Sequence, residues 1–343
     1  MAAEDPIHAP APSVLASLGE SADGVLSAWL FPPDRPAVPL RLGEIEQARE
    51  SGGGVLWVHL NSAAAPAKQW LAHCRHLPEP IREALLDTDP RTRLEPLGDG
   101  ILGVIGDTAA GADPDPWRLS SLHFYVDRGW LISTRRRPVS CASKLGREIR
   151  SGTTVRSAAE LLVWLLNLAA DSVSARALEL ARDTDRTEDE VLAGHTTVSR
   201  ERLGKARRRA TRLRRQVALR TRAIDRLRAR LPSWVEENDR FELLNALDRM
   251  ETLVDELQAI EQREASLEAE VAARLSEETN RNLYILSVVT VIFLPMTLIT
   301  GIFGMNVAGL PGLEDRAAFW WVMLAMAVVP AVFLVAIRLR RGG

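Results

Sequence analysis

Residues 283–303 are uncharged and apolar, and they run directly into Gly304, Met305 and Asn306. About twenty such residues are what an α-helix needs to cross a bilayer core of about 30 Å. A second apolar stretch, residues 317–337, follows after a short loop. The chain is therefore expected to end in a membrane hairpin, residues 283–343, with a first span (283–303), a connecting loop (304–316) and a second span (317–337). Two core helices of a soluble protein would share this composition, but core helices so long and so free of charge are uncommon.

The flanks orient the hairpin, because cytoplasmic ends of spanning helices carry the excess of Lys and Arg. Arg274 and Arg281 precede the first span, and Arg338, Arg340 and Arg341 follow the second. The loop holds Arg316 beside Glu314 and Asp315. Both termini are expected in the cytoplasm and the loop outside. Tyr284 and the Trp320/Trp321 pair stand where interfacial aromatic belts form.

With 343 residues, 46% of them hydrophobic, the chain can also build one sizeable soluble domain. Its start, MAAEDPIHAPAP, is acidic and rich in Pro and Ala, so residues 1–20 read as a disordered tail and not as a signal peptide. Cys74 and Cys141 fall in the part assigned to the cytoplasm, where thiols stay reduced.

Residues 21–156 read as a compact α/β domain, and the fold class is α+β. Apolar runs at 25–31, 54–60 and 101–105 predict strands, and helical patterns lie between them at 66–74 and 79–87. Segments 121–126 and 130–134 flank the turn Asp127-Arg128-Gly129 and predict a hairpin. Past Pro138 the strand signals stop and the chain turns helical, and residues 157–282 form the helical region. Ser157, with Glu160 three residues on, has the spacing of a capping box.

A helix over 199–231 is crowded with arginine, and an acidic helix follows the break at Pro232-Ser233. Basic stripes can bind phosphate backbones. Here, however, no aromatic residue interleaves the arginines to stack on bases, and the acidic helix can neutralise them, so no nucleic acid is expected. In the acidic helix Leu243, Leu247, Met250, Val254, Leu257 and Ile260 recur at three- and four-residue steps, with an interruption at Glu264. With neither Pro nor Gly between Ser233 and the first span, one helix is predicted over 235–303, on the order of 100 Å long. Such a stalk needs company along its length, and copies of itself can supply it.

Advancing 100° per residue, Asn280, Leu283, Ser287, Thr290, Leu294, Thr297 and Gly301 share one face of that helix. A ring of such helices would enclose a bore with hydroxyls and apolar collars, Asn280 at its inner mouth and Asn306 at its outer. Alternatively, the hydroxyls bond only to the preceding turn of their own helix. Spacing leaves both readings open.

The segment TNRNLYILSVVTVIFLPMTLITGIFGMNVAGLPG resembles the signature of the CorA-type divalent metal ion transporters, whose first membrane helix ends in Gly-Met-Asn, here Gly304, Met305 and Asn306. The family's Pro-x-Thr-x-x-x-Gly is matched by Pro295, Thr297 and Gly301, and RTRLEPLGDGILGVI at 91–105 is similar to a strand-leading segment of its cytoplasmic domain. The resemblance implies a homopentameric funnel: α/β/α domains with a mixed sheet, a very long stalk helix continuing into the membrane, and two C-terminal transmembrane helices. It implies that Gly304, Met305 and Asn306 form a selectivity ring, that Thr297 and Gly301 line the pore, and that Leu283, Leu286 and Leu294 constrict it. Two of these constrictions more often carry Met in the family. Repeated around such a ring, Glu314 and Asp315 would raise the local cation concentration at the outer mouth; alternatively they belong to an ordinary solvated loop. The continuation Val307-Ala308-Gly309-Leu310-Pro311-Gly312 is similar to the zinc-transporting ZntB branch, which implies Zn²⁺ as the first cargo, possession of proton coupling, and Mg²⁺, Co²⁺ or Ni²⁺ as alternatives. No resident cofactor is implied.

Metal binding elsewhere is expected, if anywhere, at His73, Cys74 and His76, whose side-chain types suit zinc but whose spacing matches no structural zinc motif. No phosphate loop, nucleophile elbow or convincing carboxylate pair suggests an enzyme. The competing reading from another class is a membrane-anchored coiled-coil scaffold or sensor whose hairpin only tethers it.

Overall fold

The computed structural model describes residues 23–33, 35–110, 115–193, 200–218, 227–305 and 317–341. They divide into two units, Met1–Leu267 and Glu268–Gly343.

The first unit is built on a seven-stranded mixed sheet: β1 (Val25–Phe31), β2 (Val38–Pro39), β3 (Val55–Asn61), β4 (Arg93–Leu97), β5 (Gly100–Thr108), β6 (Leu119–Asp127) and β7 (Trp130–Arg135). Their order across the sheet is β2-β1-β3-β7-β6-β5-β4. Only β3 and β7 run parallel; every other pair is antiparallel. Period-two alternation sends Leu56, Val58 and Leu60 of β3 into one core and Trp57 into another. The first core is closed by α1 (Ile45–Ser51), α2 (Ala65–His73) and α3 (Glu79–Leu86), and the second by α4 (Ser140–Arg150), α5 (Ala158–Leu192) and α6 (Arg200–Val217). Leu243, Leu247, Met250 and Leu257, from the start of α7 (Glu237–Phe303), join the second core. The result is the α/β/α sandwich that the resemblance implied.

The five predicted strands all form. β2 and β4 had no signal, since both carry proline, Pro39 and Pro96, and both lie at sheet edges where a missing N–H is tolerated. Helix α4 opens the stretch past Pro138 where the chain was expected to turn helical, but its start carried no signal, because it has no local cap. Its first turn is satisfied from a distance: Asp107 of β5 accepts the Cys141 N–H at 2.6 Å. The same buried carboxylate accepts the Thr108 N–H at 2.7 Å and a bond from the Ser172 hydroxyl of α5. Burial pushes its pKa up, and these donors partly oppose that shift.

Ser157 caps α5, accepting the Glu160 N–H at 2.9 Å, and its own hydroxyl donates to Asp239 of α7. Glu160 returns its carboxylate to the Arg156 N–H at 2.8 Å, one residue short of a reciprocal box. Of the predicted arginine helix, residues 199 and 219–226 lie outside the described residues, and α6 ends at Val217. The expected neutralisation is present: Arg214 meets Glu261 at 2.7 Å, and Arg228 meets Asp248 and Glu251. Glu264, the interruption in the apolar seam, is buried and accepts the Thr184 hydroxyl of α5 at 2.7 Å.

In the second unit α7 continues through Pro295 to Phe303, and α8 (Ala318–Arg341) contains Pro330. Helix α5 is also long and apolar enough to span a bilayer, but it is largely buried in the first unit, whereas the apolar window of α7 is uncovered.

His59 of β3 is fully enclosed beside Trp57, its Nδ1 2.9 Å from the Ser133 hydroxyl. Burial, helped by Arg135, lowers its pKa from 6.5 to about 3. The unfolded chain therefore takes up a proton below 6.5 that the folded chain refuses until about 3. Stability is full above that window and falls as pH drops through it, by about 1.4 kcal/mol per pH unit. Denaturant unfolding followed by tryptophan emission should show this slope, and His59→Gln should flatten it; an unchanged slope in the variant would assign the acid sensitivity to other groups.

Candidate functional site

Residues expected to line a bore occupy the second-unit part of α7, and all of them are exposed in the single chain: Asn280, Leu283, Leu286, Ser287, Thr290, Leu294, Thr297 and Gly301. Leu294 is 68% exposed. Between residues 280 and 303 the partly covered residues of the same helix are Val288, Val291, Ile292, Pro295, Met296 and Ile299. At 100° per residue the two sets are centred about 150° apart, so the hydroxyl-bearing face is turned away from the covered one. Helix α8 has a partly covered stripe of its own at Val322, Met326, Val329 and Pro330.

Each hydroxyl of the span bonds back one turn. Ser287 donates to the Leu283 carbonyl at 2.8 Å, Thr290 to Leu286 at 2.9 Å, and Thr297 to Phe293 at 2.8 Å. Thr300 does the same toward Met296 at 2.9 Å. The alternative weighed from sequence is thus realised, yet it does not oppose a pore. A hydroxyl whose proton is engaged with its own helix presents only lone pairs outward. Lone pairs are what the outward-pointing hydrogens of a hydrated cation need.

Gly301 has open space around it, so a side chain there would meet nothing within its own chain. At the end of the span, Gly304 donates to the Thr300 carbonyl at 2.9 Å and Met305 to Ile302 at 3.3 Å, closing the helix as the Gly-Met-Asn motif begins. Asn306, Glu314 and Asp315 lie outside the described residues.

His73, Cys74 and His76 do not converge. His73 ends α2 with Nδ1 2.8 Å from the Gln69 carbonyl on the exposed surface. Cys74 is buried in the first core, and burial raises its thiol pKa. His76 turns edge-on to Trp130, with Nε2 3.6 Å from Glu50. Among the described residues no three His, Cys, Asp or Glu side chains gather as a metal site. The helix end that separates His73 from Cys74 sends adjacent side chains in opposite directions.

A family described as CorA-like Mg2+ transporter protein matches residues 52–341. The zinc transport protein ZntB of Enterobacter sp. (strain 638) is 30% identical over 256 residues, covering 75% of this chain and 78% of the relative. The divalent cation transporter CmaX of Pseudomonas aeruginosa is 29% identical over 276 residues, covering 80% and 83%. The solved structure of full-length CmaX superposes with a TM-score of 0.77 at 26% identity, over 93% of this chain and 98% of that one. The CorA magnesium transporter of Methanocaldococcus jannaschii superposes with a TM-score of 0.73 over 91% and 97%; at 20% identity it speaks for the fold alone.

Whether the hydroxyl face is wet can be read by thiol labelling, since the two native cysteines are buried. In membranes, Thr290→Cys and Thr297→Cys should react with a water-soluble thiosulfonate at least about tenfold faster than Ile292→Cys and Ile299→Cys, because only a hydrated thiol ionises readily. Equal rates on both faces would remove the distinction.

Proposed function

Because the chain belongs to the CorA-like Mg2+ transporter family, we propose that it carries divalent cations across the bacterial inner membrane, zinc foremost, through a pore bounded by the hydroxyl face of α7 in a homopentamer. The observation that carries this reading is a face rich in oxygen acceptors but free of carboxylate within the span. Stripping water from a small divalent ion is costly, and no charged ligand stands ready to replace it. Such a face suits an ion that travels with its first water shell.

On this reading Asn306, with Gly304 and Met305, forms the outer ring and grips the ion by its water. Thr297 and Gly301 line the bore beneath it, and Leu294, Leu286 and Leu283 close it by dewetting when the helices approach. Asn280 provides a polar inner ring. Glu314 and Asp315 raise the cation concentration at the outer mouth. Both termini stand in the cytoplasm. Zinc is placed first because the chain is 30% identical to a zinc transport protein. Magnesium stands second, favoured by the family's description. The spans contain no Asp, Glu or His, so coupling to protons would use groups outside them.

Flux into liposomes bearing the purified protein, zinc against magnesium, with and without a pH gradient, tests the proposal. Zinc uptake that exceeds magnesium uptake and rises with the gradient is the expected result. Asn306→Ala should cut uptake by at least about tenfold, and Leu294→Ser should raise leak, as expected of a polar ring and an apolar gate. Uptake indifferent to both substitutions would favour the tethered scaffold, in which the hairpin only anchors the first unit.

A further inference from the structure

At one end of the sheet in the first unit, a cleft of about 660 Å³ opens between the β4–β5 turn, the β6–β7 turn, the start of α3 and the Ser233-Trp234 segment ahead of α7. Small-ligand sites occupy roughly 300–1,000 Å³. The pore makes no use of it.

A rigid ion pair forms its floor. Arg49 of α1 reaches Asp127 through Nη2, at 3.0 and 2.9 Å from the two carboxylate oxygens, and its guanidinium lies 4.9 Å over the Trp130 ring. Gly129 permits this approach, since a Cβ there would fall 1.6 Å from Arg49 Nη1. Asp127 also accepts the Gly129 N–H at 2.8 Å, the Trp130 N–H at 3.3 Å and the Trp130 indole N–H at 3.0 Å. With its lone pairs filled it has nothing left for a ligand cation.

The neighbouring donors are unspent. Arg128 is exposed and makes no ion pair among the described residues. The Tyr125 hydroxyl lines the cleft, and burial, with Asp127 beside it, pushes its pKa up to about 12, so it stays protonated. His76 lines the cleft with its ring only, since its Nε2 is sealed from solvent beside Glu50, 3.6 Å away. Opposite them Trp234, held by its indole N–H on the Asp99 carbonyl, forms a flat apolar wall with Pro78, Pro80 and Leu97. The Asp99 carboxylate stands exposed on the rim.

We infer that this cleft binds a mononucleotide, its base against Trp234, its phosphate on Arg128 with the Tyr125 hydroxyl, and its sugar hydroxyls donating to Asp99. A bare metal ion does not fit, because two guanidinium groups face the cleft and no three metal-ligating side chains gather among the described residues. A simple anion fits less well: it would leave the indole wall empty and meet Asp99 without a donor to offer it. Guanidinium and phosphate match in charge and geometry, and an indole face accepts any base. The site stands independently of the pore, since none of its residues belongs to the second unit.

The test uses the full-length protein in detergent, titrated with ATP, AMP and pyrophosphate in EDTA so that divalent ions contribute nothing. Calorimetry should show saturable binding of ATP and AMP, one per chain, and tryptophan emission should be quenched in parallel. Trp234→Phe, which keeps an aromatic face, should bind yet lose the quench. Arg128→Ala, an exposed change that leaves the fold intact, should weaken ATP by at least about tenfold, the loss of a charge-assisted phosphate contact. Absence of saturable binding at millimolar nucleotide, unchanged affinity in Arg128→Ala, or pyrophosphate binding as tightly as ATP with no change in emission would each overturn the assignment.

Discussion

Hydrocarbon offers a peptide group no partner, and the second unit follows from that one restriction. Every polar atom in the span has to be satisfied along its own helix or by something beyond the chain. Ser287, Thr290, Thr297 and Thr300 obey by donating to the carbonyl one turn back. This fixes which way their protons point, and hence what the outer surface of the helix can recognise. Pro295, in the middle of the span, deprives the Val291 carbonyl of its helical donor. The same rule makes that carbonyl a further acceptor within an otherwise apolar stretch.

In the first unit buried polar groups serve a different end. Asp107 joins β5 to the first turn of α4 and to Ser172 of α5. Ser157 ties the head of α5 to Asp239 at the head of α7, and Thr184 ties its middle to Glu264. Apolar seams alone tolerate sliding by a turn, whereas a buried carboxylate that loses its donor costs about 1–3 kcal/mol or more. Three such pins set the register of the long helices against the sheet. The many arginine pairs on their outer surfaces, such as Arg263 with Asp185 and Glu188, are worth less individually, typically about 0.2–1 kcal/mol each.

How much of this could be read from the chain alone depended on whether the cause was local. The central strands, the Asp127-Arg128-Gly129 hairpin, the Ser157 cap and the long α7 all announce themselves within a few residues of where they act. The start of helix α4 could not be placed, because its cap, Asp107, lies 34 positions upstream. The edge strands hid behind Pro39 and Pro96. The hydroxyl face was legible because helical spacing alone defines it. The cleft around Arg49 and Trp234 was not, since its walls come from segments scattered between residues 49 and 234 and no motif links them. The His73, Cys74 and His76 group shows the converse error: proximity in sequence across a helix terminus does not bring side chains together.

Both outermost strands of the sheet interrupt their own ladder with a ring nitrogen that carries no hydrogen, and one of them is only two residues long. An incoming strand would find neither border able to zip against it. In the proposed pentamer, contacts between copies would therefore fall to side chains on helices and loops, which can slip and re-form without unravelling a sheet. In such an assembly the first unit would be free to shift against its neighbours while its interior stays intact.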